Sequence, residues 1–191
     1  TLCTSTSGGN YYLAQPYEKR IQIINELYGQ GHKIHIYTAR GTTTGAVWIC
    51  EFLYDTGTTK LVVTDGTTLS TIDTAHTVVA SGDPDMPVHI PMPVFLDGYL
   101  FILKSGTADI YNSNLNDPLA YTAGDFITAE MVADKATAIA KLNNYLVVFG
   151  NKSIEYFWDA AISTGSPLQR NDTPIKLNGY LGGLAQLGNK I

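Results

Sequence analysis

Pro93–Asn112, PVFLDGYLFILKSGTADIYN, carries two apolar runs around an Asp97-Gly98 pair and a third after Ser105-Gly106. It reads as strand, tight turn, strand, short link, strand, because Asp-Gly between strand formers is a strong hairpin signal. Moved along the chain by 46 residues, the stretch meets itself. Leu96-Asp97-Gly98-Tyr99-Leu100 falls on Leu142-Asn143-Asn144-Tyr145-Leu146, and Phe101-Ile102-Leu103 on Val147-Val148-Phe149. Asp109-Ile110-Tyr111 falls on Glu155-Tyr156-Phe157, and Leu187–Ile191 opens a third copy. A β-unit recurring at this period is the mark of a blade-by-blade propeller or a related β-array.

Outward from the repeat, the chain divides near residue 46. Before it, Pro16 opens an expected helix with Glu18 near its start, Ile21, Ile24, Leu27 and Tyr28 on one face, and Gly29 and Gly31 as its stop. Lys33–Tyr37 alternates as a strand and ends in Thr38-Ala39-Arg40-Gly41, so residues 1–46 are expected to be a truncated α/β segment. After it, strands are expected at Val47–Tyr54, Lys60–Thr64, Thr67–Ile72 and Thr77–Ala80, separated by Asp-Thr-Gly and Asp-Gly turns. Asp83–Pro93 holds four prolines and reads as an extended connector, since proline supplies no ladder donor. Asn112–Pro118 reads as a turn cluster, Tyr121–Asp134 as mixed with a strand around Phe126–Ala129, and Ala160–Asn178 as a long polar loop. The expected fold is mainly β: a partial propeller-like array of antiparallel units over residues 47–191, about two and a half blades, behind a small helix–strand segment. The chain begins with Thr1 and stops inside a strand pattern, and is expected to be a fragment.

Composition narrows the function. The chain has 191 residues, 45% hydrophobic and 15% charged, the balance of a folded protein. Its formal charge of −5 argues against a protein that grips nucleic-acid phosphates. No run approaches the ~20 apolar residues of a membrane-spanning helix, and no signal segment opens the chain. Cys3 and Cys50 make no disulfide framework.

Residues of catalytic type lack catalytic spacing. His32, His35, His76 and His89 show no helical pairing and no companion Cys or carboxylate pattern, so neither a metal site nor a cofactor is expected. Asp83 and Asp85 flank Pro84 and read as solvating a loop. Asp97 and Asn143 are explained by their hairpin turns. Thr6-Ser7-Gly8-Gly9 lacks the ending of a nucleotide loop. Tyr99, Tyr111, Tyr145, Tyr156, Phe157 and Trp158 recur with the repeat and read as packing between blades, although aromatic side chains also stack on bases and sugars. Thr38, at a strand end, offers a hydroxyl where α/β proteins place ligand groups, although a plain strand terminus explains it as well.

Two resemblances meet near residue 46. The words Ile72–Thr77 (IDTAHT), Pro93–Tyr99 (PVFLDGY), Ser113–Pro118 (SNLNDP), Asp125–Glu130 (DFITAE) and Leu142–Gly150 resemble the tail nozzle, or packaged-DNA stabilisation, proteins of short-tailed bacteriophages. That resemblance implies a β-propeller-bearing virion subunit, assembled in the host cytoplasm into a homo-oligomeric ring below the portal. Such a ring contacts other tail proteins, retains packaged double-stranded DNA and passes it without sequence preference at ejection. An acidic subunit suits a channel through which DNA must slide.

Thr1–Gly45 instead resembles haloacid-dehalogenase-like phosphatases. Thr1-Leu2 matches the end of their first motif, and Ile36–Gly45 the second, which makes Thr38 the phosphate-binding hydroxyl. The family's two aspartates would precede Thr1, and its lysine and Mg²⁺-binding acids should follow residue 46, where the phage-like sequence takes over. Without them phosphoryl transfer has no mechanism in this chain. A phosphatase-like piece with a β extension, and a carbohydrate- or protein-binding propeller, remain the rival readings of a structural virion component.

Overall fold

The computed structural model describes residues 21–27, 32–38, 47–75, 77–177, 179–180 and 182. Among them every regular element is a strand. The first two, β1 (Ile21–Leu27) and β2 (His32–Thr38), pair antiparallel from Ile21↔Thr38 to Leu27↔His32. β2 agrees with the expected strand, but the expected helix is not formed across β1. Ile21, Ile23 and Ile24 are β-branched, and Ile21 and Ile23 fit the two-residue strand period where Ile21, Ile24 and Leu27 fit a helical one. The pairs Ile23↔Ile36 and Asn25↔Ile34 let the strand period win. Pro16 and Glu18, read as the helix start, and Gly29 and Gly31, read as its stop, lie outside the described residues.

Twelve further strands make three four-stranded antiparallel meanders, each in simple chain order. The first blade is β3 (Trp48–Leu53), β4 (Thr59–Thr64), β5 (Leu69–Ile72) and β6 (Val78–Ala80). The second is β7 (Val94–Leu96), β8 (Tyr99–Leu103), β9 (Asp109–Asn114) and β10 (Asp117–Thr128). The third is β11 (Ala136–Leu142), β12 (Tyr145–Gly150), β13 (Ile154–Asp159) and β14 (Leu168–Lys176). Among the described residues the array thus holds three complete blades, and the expected further copy at Leu187–Ile191 lies outside them.

Alternation along the strands assigns each blade two packing faces. In β8, Leu100 and Ile102 join Phe52, Val62 and Leu69 of the first blade, while Phe101 and Leu103 join Ile139, Leu146 and Val148 of the third. In β12, Leu146 and Val148 face back to the second blade, and Val147 and Phe149 face forward. Equivalent residues of successive blades therefore point the same way around the array. Leu100, Phe101, Ile102 and Leu103 are all fully buried. Each such side chain contributes about 1.5–3 kcal/mol by leaving water. The first strand of the second blade, β7, neighbours both β3 and β11, as the inner strands of successive propeller blades do.

The turns explain the repeat. Asp97 and Asn143 both have positive φ (49° and 53°) at the β7–β8 and β11–β12 hairpins. The pairs Leu96↔Tyr99 and Leu142↔Tyr145 are equivalent at the 46-residue offset. In the next hairpin the offset slips. Ile102 pairs with Tyr111, but Val148 pairs with Glu155, so the third strands correspond at 44 residues. The β12–β13 link is two residues shorter than the β8–β9 link, which preserves the facing of every side chain.

Two loop expectations give way to strands, and the mixed stretch with its strand around Phe126–Ala129 becomes part of a longer one. β9 runs to Asn114 and β10 starts at Asp117, which leaves only Leu115-Asn116 as the turn, with Asn116 at φ 58°. β10 extends from Asp117 to Thr128 across two register shifts, and those bulges erase its alternation. Leu168–Lys176 is the outermost strand of the third blade, inside the expected Ala160–Asn178 loop. It is polar because an edge strand meets water, and proline is tolerated at an edge. The Asp83–Pro93 connector, expected to be extended, turns at Pro84-Asp85, where the Met86 amide donates to Asp83 O at 3.4 Å, and then makes an isolated antiparallel bridge between His89 and Lys104.

Candidate functional site

Several of the polar side chains that the fold buries or half-buries lie where the chain passes from one blade to the next. At the first junction, Ser81 Oγ donates to Leu119 O of β10 at 2.6 Å. Asp83 Oδ2 accepts the Tyr121 amide at 2.9 Å, and its Oδ1 accepts the Asp85 amide at 2.9 Å. Tyr121 lies at the β10 register shifts, so the bulge frees an N–H that Asp83 takes up. The carboxylate read from sequence as solvating a loop is a cross-blade acceptor.

His89 lies deeper in the same junction, only 3% exposed. Its Nδ1 donates to Pro87 O at 2.9 Å, and its Nε2 lies 2.8 Å from Thr64 Oγ1 at the end of β4. Its amide donates to Gly66 O at 2.8 Å. Gly66 sits at φ 92°, and a Cβ there would lie 2.5 Å from His89 O, so only glycine fits beneath the connector. Burial pushes the imidazole below the usual histidine range, against smaller opposing effects of the Pro87 bond and Asp65. Asp65 Oδ1 collects the amides and hydroxyls of Thr67 and Thr68 at 2.7–3.1 Å. Burial raises its carboxyl, but these bonds together hold it below the usual range.

The second junction uses two acids. Asp134 accepts the Lys152 amide at 2.6 Å and the Ser153 hydroxyl at 3.3 Å, and its carboxylate lies where a Cβ on Gly150 would be. Glu155, buried on β13, accepts the Met131 amide at 3.1 Å through Oε1. Arg170 of β14 stands 3.7 Å from Oε2, too long for a hydrogen bond, and is itself held by Asp172 at 2.7 Å. Burial pushes the Glu155 carboxyl up; Asp134 and Glu130 add to that, and the Met131 amide and Arg170 only partly offset it.

These arrangements clamp blades together and assemble no nucleophile with a base. Burial, with Glu51 beside it, pushes the Cys50 thiol up to about 12, which leaves no thiolate for chemistry near neutral pH. Among the described residues no group of three metal-ligating side chains converges. Thr38 closes β2, and its side chain lies outside the described features, as do those of His32 and His35 and the whole of His76. Thr6–Gly9 and Leu187–Ile191 also lie outside the described residues. Of the recurring aromatics, Phe157 and Tyr111 pack between blades, as expected. Trp158 is instead 42% exposed, beside a cleft of about 400 Å³ that Asp97, Asn143 and Asp159 also line. Sequence reasoning read His89 only as a histidine without metal-ligand companions and Glu155 only as a member of the repeat, and gave neither a buried role. The one available signal for His89 was its place between prolines in a connector that must pack on a neighbouring blade.

Blades in series, stapled by buried polar groups at each passage, define a β-propeller protein of structural kind. The family model described as Bacteriophage P22 Gp10, beta-propeller, matches residues 54–187, and the chain belongs to that family. The match spans the three blades from β4 to β14, leaves out β3, which ends at Leu53, and does not include Thr1–Gly45. No curated protein matches the chain. The membership makes the chain a phage structural protein of the packaged-DNA stabilisation class and a component of the virion tail. No helix among the described residues is long and apolar enough to cross a membrane.

Proposed function

We propose that the chain is a tail nozzle subunit that lines the DNA channel below the portal and retains packaged DNA until ejection. It acts as part of a homo-oligomeric ring built with other tail proteins, assembled in the host cytoplasm before joining the virion. The observation that carries this reading is the succession of three blades whose junctions bury carboxylates and a histidine for purely architectural ends. A negative chain, at −5, supports passage of DNA without adhesion, since like charges hold the duplex off the wall. No cofactor enters this reading.

Nuclease protection tests it. Particles assembled without the protein should package DNA and then lose it, so that the genome becomes sensitive to added nuclease; supplying the protein in trans should restore protection. Particles that keep a nuclease-resistant genome in its absence would contradict the proposal.

A further inference from the structure

The His89–Thr64 contact has a hydrogen count that depends on pH. Nδ1 faces the Pro87 carbonyl, which can only accept, so Nδ1 carries a hydrogen in either charge state. The Thr64 hydroxyl has one hydrogen and two acceptors within reach, His89 Nε2 at 2.8 Å and Thr68 O at 2.7 Å. With a neutral imidazole the hydroxyl donates to Nε2. With an imidazolium Nε2 donates instead, and the hydroxyl turns to Thr68 O on the β4–β5 turn.

The surroundings offer the second state little relief. From the β4–β5 turn the facing charge is Asp65, whose Oδ1 is already bonded to four donors of Thr67 and Thr68. From β8 the neighbour across the bridge is Lys104, a cation whose Nζ lies 5.7 Å from the Tyr111 ring centre. On the connector itself the carboxylates are Asp85 and Asp83, and Asp83 is bonded to Tyr121 and the Asp85 amide. A buried imidazolium thus has the Asp65 charge nearby but no carboxylate in direct contact, and a buried charge without a direct partner is costly. Movement of the connector into water relieves it.

We propose that His89 is an acid-responsive clasp: it holds the connector on the first blade when neutral and releases it locally on taking up a proton. The release unseats the two amide bonds that flank the ring, His89 N to Gly66 O and Ile90 N to Leu103 O, both 2.8 Å. The blade sheets stay paired, because His89 belongs to none of their strands.

Side-chain NMR of the full chain gives the pH at which His89 titrates, and amide hydrogen exchange gives the opening. Protection factors at His89 and Ile90 should fall by about tenfold or more across the His89 titration, while those of β12 stay level. In His89→Gln, whose amide bonds Thr64 in one charge state only, protection near neutrality should persist and the acid-induced fall should vanish. Constant protection at His89 and Ile90 across the wild-type titration would overturn the proposal, and that reading needs no variant. So would a fall shared equally by β12, which is global unfolding, or an unchanged acid response in His89→Gln.

Discussion

The Tyr121 amide donates to Asp83 Oδ2 at 2.9 Å, joining the outer strand of the second blade to the chain leaving the first. Removing the acceptor in Asp83→Ala strands a part-buried N–H and should cost about 1–3 kcal/mol. At roughly 2–4 °C per kcal/mol for a domain of this size, thermal melting resolves the loss. Asp83→Asn keeps an acceptor and should recover most of it.

Glu155 makes the second junction sensitive to pH in a defined direction. Its folded-state carboxyl is raised, chiefly by burial, so the fold binds the proton more tightly than the unfolded chain does. The stability it contributes is full below the ordinary glutamate range and is lost as pH rises through the raised folded value. Wild type should therefore lose stability relative to Glu155→Gln as pH rises from about 4 to about 8. Chemical denaturation of both proteins at each pH checks the sign, and a gap that moves the other way would refute it.

Two glycines with similar backbone angles should respond differently to alanine. Gly66 (φ 92°) has His89 O directly against the position of a Cβ, whereas Gly106 (φ 79°) has nothing within 4 Å. Gly106→Ala should cost only the left-handed strain, about 1–2 kcal/mol. Gly66→Ala adds a backbone collision and should cost clearly more, with the excess confined to the first junction in hydrogen exchange.

Phe101 and Trp158 test which aromatics hold the array. Phe101 is fully buried between the second and third blades, and Trp158 is 42% exposed. Phe101→Ala should cost about 3–5 kcal/mol. Trp158→Ala should stay within about 1 kcal/mol, as surface substitutions usually do. Urea denaturation of the two variants separates them.

The hairpins were legible because their signals are local. Asp97-Gly98 and Asn143-Asn144 sit between apolar runs, and both take the positive φ their residue types allow. The first blade escaped the self-match because its β3–β4 link, Tyr54–Thr58, is longer than the two-residue turns of the others. β14 escaped because Leu168–Lys176 is polar, and its pairing with β13 through Trp158↔Gln169 is a tertiary fact. β1 shows the reverse failure, a helical period overridden by cross-strand pairing. At the junctions, Asp83 was visible as a residue but not as a bond, since its partner is 38 positions away. Buried polar roles of this kind depend on which blades meet, and no local pattern encodes that.

Electron cryomicroscopy of the intact tail addresses the central claim most directly. The account predicts a ring of this subunit around the DNA path, with residues 48–176 forming three consecutive blades and β3, β7 and β11 innermost. A tail ring that lacks the chain, or one in which these strands build a sandwich without adjacent first strands, would contradict it.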